Sequence, residues 1–422
     1  MTYHNAQKYI LSSPDVNPRK HPEELLRRLW SELGNPQKNI NYIRLAGSNG
    51  KTISAEMMVS VLSKADISVG TLTTTLRPDL RYNVTVNGAP ISFEKMAELV
   101  ELIYRTVNRF RKEASDTDEG EFAYTLTKQE ILLCVALLIF KESNCELCLI
   151  ESDHKRTDPT IFLPPPFMVA ICGEIPSQSK SDIQMIRTYI CHGIEEIISA
   201  PQDQNAYRII SNTCAAVNCR LTIPTKSTLS IEKLSLSGSE FQYKNKKYKI
   251  GLCGKFQVNN AIFVLELLER LVTKGYKLSY EQIYGGLRAT KIPAKFEILS
   301  VTPTIIADST HTDVAIPAVC ESMSDFKDII GSRIRVCLPE GSIVEKYLDT
   351  LKEQGYDVTR VMVFGADTEE SYNGIPTLHC KKTKELIKNM LSDLGSDEIL
   401  LISGPYTFTL NVRYELLSHL GF

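Results

Sequence analysis

Apolar residues along this chain recur at two spacings, and the change from one to the other marks out its elements. Residues 22–34 carry apolar side chains at helical spacing and stop at Gly34, so a helix is expected there. Asn41-Tyr42-Ile43-Arg44-Leu45-Ala46 reads as a short strand that runs into a glycine-containing turn. Behind the turn, Ile53, Met57, Met58, Val61, Leu62 and Ala65 return to helical spacing. The local order is strand, glycine loop, helix.

The same alternation continues downstream. Segment 126–142 holds an apolar run, 131–140, too long for an ordinary strand, and a strand-like run at 147–151 follows it. Further strand and helix signals fall at 168–172, 257–272, 305–307, 314–324, 335–338, 343–354, 361–364, 382–394 and 399–403. Alternation of this kind predicts an α/β fold with a mainly parallel sheet flanked by helices. Residues 224–251 break the rhythm, being rich in Ser, Lys, Thr and Tyr with short alternating stretches, and a small antiparallel region is expected there. The best boundary is Thr290-Lys291-Ile292-Pro293-Ala294, after which a new series begins. Two domains are expected, 1–293 and 294–422, in line with a length of 422 residues.

Composition narrows the function classes. Hydrophobic residues make up 43% and charged residues 23% of the chain, ordinary values for a globular protein. A net charge of -2 supplies no global field toward nucleic acid or anionic lipid, so neither partner is expected. The segment Met1-Thr2-Tyr3-His4-Asn5 lacks the layout of a signal peptide, and no apolar run approaches the roughly 18 residues that span a bilayer. A cytoplasmic location is expected. Eleven scattered cysteines fit reduced, buried thiols. The one C-x-x-C, Cys145 to Cys148, is read as core: if its run is a strand, residues three apart face opposite ways and cannot readily share an ion.

Gly47-Ser48-Asn49-Gly50-Lys51-Thr52 has the ingredients of a phosphate cradle. Glycines let backbone N–H groups turn toward an anion, a helix N-terminus adds partial positive charge, and Lys51 neutralises phosphate oxygens. The flanking strand and helix separate it from an ordinary Gly-Asn turn. It is one residue short of a strict G-x-x-x-x-G-K-[ST] loop, since the first glycine would fall at Leu45.

These residues resemble the loop G-T-N-G-K-G-S of folylpolyglutamate and dihydrofolate synthases, within the Mur ligase superfamily. The resemblance continues in order through Leu33-Gly34-Asn35-Pro36-Gln37, Val69-Gly70-Thr71-Leu72-Thr73-Thr74 and Val86-Asn87-Gly88-Ala89-Pro90-Ile91-Ser92. It then takes in Glu151, Arg156, Asp158 and Thr160, and Gln257-Val258-Asn259-Asn260-Ala261. Ile292-Pro293-Ala294-Lys295-Phe296-Glu297, Asp308-Ser309-Thr310-His311 and Gly404-Pro405-Tyr406 through Val412-Arg413 complete it. Nearly the whole chain is covered.

The resemblance implies a P-loop-type ATP-binding domain with the small β region at about 224–251, and a smaller C-terminal Rossmann-like domain that binds the amino acid. It implies a ligase that uses ATP and Mg²⁺ to activate a folate or pterin carboxylate as an acyl phosphate, which the amine of glutamate then attacks. Lys51 and His311 are the implied catalytic residues. Gly47, Ser48, Asn49, Gly50, Lys51, Thr52, Asn260, Lys295 and Asp308 are the implied nucleotide contacts, and Thr74 and Glu151 the implied metal ligands. A monomer is expected.

Two family features are absent. A metal-binding histidine is missing from Ile171-Cys172-Gly173-Glu174-Ile175-Pro176, and a lysine, often carbamylated, is missing after Ile194-Glu195-Glu196-Ile197. Glu174, Lys180 and His192 lie nearby as substitutes. Two further readings therefore stay open on sequence: a nucleotide-binding homologue without ligase activity, and a Mur-type ligase for a different carboxylate.

Overall fold

The computed structural model of the chain describes every residue except Ser48, 115–122, 153–157, 176–178, 313–314, Ser342, 366–371, Asn373 and Phe422. Its first part runs α1 (Tyr3–Ser12), α2 (Pro22–Glu32), β1 (Tyr42–Ala46), α3 (Lys51–Lys64), β2 (Val69–Leu72), β3 (Val84–Val86), β4 (Ala89–Pro90), α4 (Phe93–Glu113), α5 (Lys128–Glu142), β5 (Leu147–Glu151), β6 (Met168–Ile171), α6 (Lys180–Tyr189), β7 (Glu196–Ser199), α7 (Gln204–Ala216) and β8 (Arg220–Thr222). The apolar run in α5 is helical because a capping box starts it. Thr127 Oγ1 accepts from the Glu130 N–H while the Glu130 carboxylate accepts from the Thr127 N–H, a device that adds about 1 kcal/mol.

These strands form one eight-stranded sheet in the order β4-β3-β2-β5-β1-β6-β7-β8. Strands β2, β5, β1, β6, β7 and β8 run parallel, and β3 and β4 fold back antiparallel at one edge. The central strands are buried on both faces, as a parallel sheet covered by helices requires. Parallel order brings the C-terminal ends of β2, β5, β1 and β6 together on one edge, where open α/β sheets bind ligands.

The chain continues with β9 (Leu229–Ser235), β10 (Gly238–Tyr243), β11 (Lys246–Ile250), α8 (Lys255–Thr273), α9 (Tyr280–Ala289), β12 (Glu297–Val301), β13 (Thr304–Asp308), α10 (Ile316–Ser324), α11 (Lys327–Ile330), β14 (Arg333–Pro339), α12 (Ile343–Glu353), β15 (Asp357–Phe364), β16 (Thr377–Cys380), α13 (Thr383–Leu391), β17 (Glu398–Ser403) and α14 (Tyr406–Leu420). Strands β9 to β11 make the expected antiparallel sheet. The remainder form a six-stranded sheet, β12-β13-β17-β14-β15-β16, parallel except for the edge strand β12.

Two compact units result: Met1–Thr225 with Ile262–Gly286, and Lys226–Ala261 with Leu287–Phe422. In place of a single division after Pro293, the small antiparallel sheet and the start of α8 belong with the C-terminal sheet. The packing explains it, because Phe256 meets the Phe296 ring edge-on at 6.0 Å and Cys253 shares the core that Phe296, Phe326 and Ile334 build.

All eleven cysteines are free thiols. Cys148 and Cys145 do pack as core, but the alternation argument for them fails. Strand β5 begins at Leu147, so Cys145 precedes it and both side chains reach the same apolar cluster. Among the described residues no helix is long and apolar enough to cross a membrane.

Candidate functional site

The register of the first sheet builds the site. Leu45 pairs with Glu151 on one side of β1 and Ala46 with Ile171 on the other. The Ser152 N–H then donates to Leu45 O at 2.8 Å and the Cys172 N–H to Ala46 O at 2.7 Å. The loop leaving β1 is therefore held between the ends of β5 and β6. A side chain on Gly47 (φ +109°) would place its Cβ 2.0 Å from Cys172 O, and one on Gly173 (φ +70°) would lie 2.9 Å from Asn49 O. Two backbones touch there, and only glycine permits it. Gly50 caps α3 at φ +82°, so the N-terminus of the helix opens onto the loop.

Lys51 folds back across its own loop, its Nζ donating to Gly47 O at 2.6 Å. Thr52, beside it on the first turn of α3, donates through Oγ1 to Glu151 Oε1 at 2.7 Å. The other Glu151 oxygen accepts from the Thr74 N–H at 3.2 Å and from Thr74 Oγ1 at 3.3 Å. Glu151 is only 1% exposed. Its carboxylate is thus buried among neutral donors, and two hydroxyls and a carboxylate are hard oxygen ligands of the kind Mg²⁺ takes. No group of three or more His, Cys, Asp or Glu suited to a metal exists among the described residues. As a metal cage this set would be partial, leaving phosphate oxygens and water to supply the remaining ligands. Glu56, one turn further along α3, is pushed up in pKa by burial and by the Glu151 charge, against the pull of Arg77.

Residues outside the sequence motifs place Thr74. Buried Asn83 donates from Nδ2 to Thr73 O at 3.1 Å and to Thr75 O at 2.8 Å, and its Oδ1 accepts from the Arg77 N–H. Gln129 donates to Thr74 O at 2.7 Å. On the other flank Gln202 donates from Nε2 to Gly173 O at 2.7 Å and to Ala200 O at 3.1 Å, while its Oε1 accepts from the Ile175 N–H at 2.9 Å. A neutral amide therefore ties together the strand ends at which the resemblance implies a histidine and a lysine. Nothing in the sequence singles out Asn83, Gln129 or Gln202, since each acts on backbone that only the sheet register brings near.

Asp158 and Thr160 are buried beside this edge. Ser152 Oγ donates to Asp158 and lies 2.8 Å from Thr160 Oγ1, and burial pushes the Asp158 carboxyl up. Ser48 and Arg156 lie outside the described residues. Glu174 is exposed.

The second unit assembles Asn260, Lys295, Asp308 and His311. Asp308, at the end of β13, accepts from the Phe296 N–H and the Thr310 N–H, both at 2.8 Å. Lys295 stands between Ala294 (φ +55°) and Phe296 (φ +53°), with its Nζ 5.6 Å from the Tyr406 ring centre. Left-handed backbone at two such residues is costly, and the loop is held by several bonds at once. Glu297 accepts from the Ala294 N–H and is clamped in turn by Arg413 at 2.6 and 2.7 Å. Asn260 donates to Gln257, whose amide reaches Lys295 O at 3.5 Å, the limit of a hydrogen bond. His311 is exposed, its Nδ1 3.1 Å from Ser309 O.

A strand, phosphate loop and helix in a parallel sheet, with a carboxylate and two hydroxyls beside the loop and a Rossmann-like second unit, define an ATP-binding ligase architecture of the Mur type. No protein-family model matches the chain. The Bacillus subtilis dihydrofolate synthase/folylpolyglutamate synthase is 23% identical over 428 residues, covering 93% of this chain and 94% of its own. A probable bifunctional folylpolyglutamate synthase/dihydropteroate synthase of Halobacterium salinarum is 25% identical over 343 residues; there the match covers 77% of this chain but 40% of the longer protein. The solved FPGS–AMPPCP–folate complex superposes with a TM-score of 0.80 at 19% identity, over 99% of this chain and all of that one, which establishes the fold. Over nearly its whole length the chain is thus similar to folylpolyglutamate and dihydrofolate synthases.

Proposed function

We propose that this protein is an ATP-dependent ligase that joins glutamate to a folate or pterin carboxylate through an acyl phosphate. The observation that carries the reading is the convergence of Lys51, Thr52, Thr74 and Glu151 on one glycine loop. Full-length likeness to folylpolyglutamate and dihydrofolate synthases supports it.

In this reading the loop amides and Lys51 hold the phosphate tail, Lys51 exchanging Gly47 O for phosphate oxygens and offsetting the charge that develops as the phosphoryl group moves. Glu151, Thr52 and Thr74 would hold Mg²⁺, which would supply positive charge to neutralise phosphate oxygens. Asn83 and Gln129 keep Thr74 aimed at Glu151. In the second unit Asn260, Lys295 and Asp308 are proposed as nucleotide contacts and His311 as a catalytic group; the stretch 294–422 is the proposed amino-acid-binding domain. A cytoplasmic monomer is proposed.

The test is incubation of the pure protein with Mg-ATP, glutamate and a panel of pterin carboxylates, following ADP release and product mass. A product heavier by one glutamyl residue supports the proposal. Nucleotide binding with no turnover across the panel refutes it.

A further inference from the structure

Helix α7 ends in a Schellman motif, and both residues that close it are cysteines. The Cys219 N–H donates to Cys214 O at 2.8 Å and the Asn218 N–H to Ala215 O at 3.3 Å, with Asn218 left-handed at φ +54°. In this motif the side chains at the two ends of the outer bond meet, usually as an apolar contact. Here the contact is thiol to thiol, inside the apolar cluster of Ile194, Ile197 and Ile210. Disulfides need Cα atoms roughly 4.4–6.8 Å apart, which a direct backbone hydrogen bond between the two residues meets. Other neighbouring thiols lack that link: Cys145 donates to Phe140 O and Cys148 to Asn41 O, and Cys337 on β14 and Cys380 on β16 are separated by β15.

The two thiols are unequal. Cys219 is 9% exposed and Cys214 2%. The hydrogen bond between them draws the Cys219 pKa down, against burial and the Glu196 charge, and pushes that of Cys214 up. A lower-pKa, more exposed thiol backed by a buried one is the arrangement of an attacking and a resolving cysteine.

We propose that Cys214 and Cys219 are an oxidation site that closes to a reversible intramolecular disulfide, with Cys219 attacking and Cys214 resolving. The oxidant is a low-molecular-weight disulfide. The Cys219 thiolate attacks one of its sulfurs, forming a mixed disulfide and releasing one small thiolate. Cys214 loses its proton and attacks the Cys219 sulfur, the mixed S–S bond breaks, and the second small thiol leaves. Two protein thiols are oxidised and one small disulfide is reduced to two thiols. The closed bond clips the last turn of α7 to the entry of edge strand β8.

The sequence between Arg208 and Arg220 contains both cysteines and no other trypsin site, so one peptide, residues 209–220, reports the event. The full-length protein is incubated with graded oxidised glutathione, alkylated under denaturing conditions and digested. The expected result is a 209–220 peptide lighter by two hydrogens and refractory to alkylation, restored by dithiothreitol, at oxidant levels where the peptides holding Cys145, Cys337 and Cys380 still alkylate fully. Cys214→Ser should instead accumulate glutathione on Cys219, and Cys219→Ser should leave Cys214 alkylatable. Full alkylation of both cysteines while others react, or pairing of either with Cys191 in the same cluster, overturns the proposal. The wild-type arms decide this even should a variant fail to fold.

Discussion

Thr52 and Glu151, 99 residues apart in sequence, meet at 2.7 Å because β1 and β5 are neighbouring parallel strands whose ends share a register. That contact places the first turn of the phosphate-loop helix against a buried carboxylate, and Thr74 closes the other side. Each partner makes a separable contribution to the ligase.

Lys51→Ala removes the charge that spans the loop. Because Gly47 O is the one hydrogen-bond partner of the Lys51 ammonium among the described residues, the fold should survive with a melting temperature near that of the wild type. ADP release with glutamate and a pterin carboxylate should fall about 100- to 1000-fold, the usual effect of losing a group that stabilises transition-state charge. Steady-state kinetics with a thermal melt checks both parts.

Glu151→Gln keeps the hydrogen-bonding shape and removes the charge. The magnesium concentration for half-maximal nucleotide binding should rise about 10-fold or more, whereas Thr74→Ser should leave it within roughly 3-fold. Titrating a fluorescent ATP analogue at varied Mg²⁺ reads the two curves.

Gly47→Ala should be among the most damaging single substitutions in the chain. The added Cβ meets the Cys172 carbonyl at 2.0 Å and the backbone is left-handed, so about 3 kcal/mol or more is expected to be lost. Urea unfolding measures it, and a loss below about 1 kcal/mol would contradict the close approach of the two loops.

Gln202→Leu should loosen Gly173 and, through it, Asn49, without touching a phosphate contact. Nucleotide affinity should drop several-fold, roughly 1 kcal/mol per lost hydrogen bond, while the magnesium requirement stays unchanged. The combination separates a backbone clamp from a metal ligand.

Acid stability should depend on Glu398. Burial would raise its pKa, but the Gly395 N–H, Arg335 and Thr359 more than offset it and hold the carboxyl at about 2. Its folded pKa lies below the unfolded value, so its contribution is present above the usual carboxylate range and is lost as pH falls through about 2. Glu398→Gln should lower stability by about 2 kcal/mol at pH 7, with the gap to wild type narrowing between roughly pH 4 and pH 2. Unfolding curves across that interval give the sign.

The strand, loop and helix around Gly47 were legible because their signals are local: apolar spacing on both sides and glycines where the backbone must turn. Strand β5 was legible for the same reason, down to Glu151 as its last residue. Alternation does not reach Cys145, because it holds only inside a strand and β5 starts two residues later. Helix α4 packs its long amphipathic face against α1, α2 and α5, and its many polar residues mask the apolar stripe in the sequence. Asn83, Gln129 and Gln202 carry no local signal at all. Their partners are main-chain atoms up to 55 residues distant, set by strand order. The link between Glu297 and Arg413, 116 residues apart, joins two motif fragments whose separate purposes the sequence left unconnected.

Transfer of an oxygen atom is the most direct probe of the chemistry. With a pterin substrate whose carboxylate carries ¹⁸O, Mg-ATP and glutamate, activation as an acyl phosphate requires one labelled oxygen to leave with inorganic phosphate for each amide formed. Phosphate mass spectra showing that one-for-one label predict and support the ligase reading; unlabelled phosphate, or ATP hydrolysis without amide product, would contradict it.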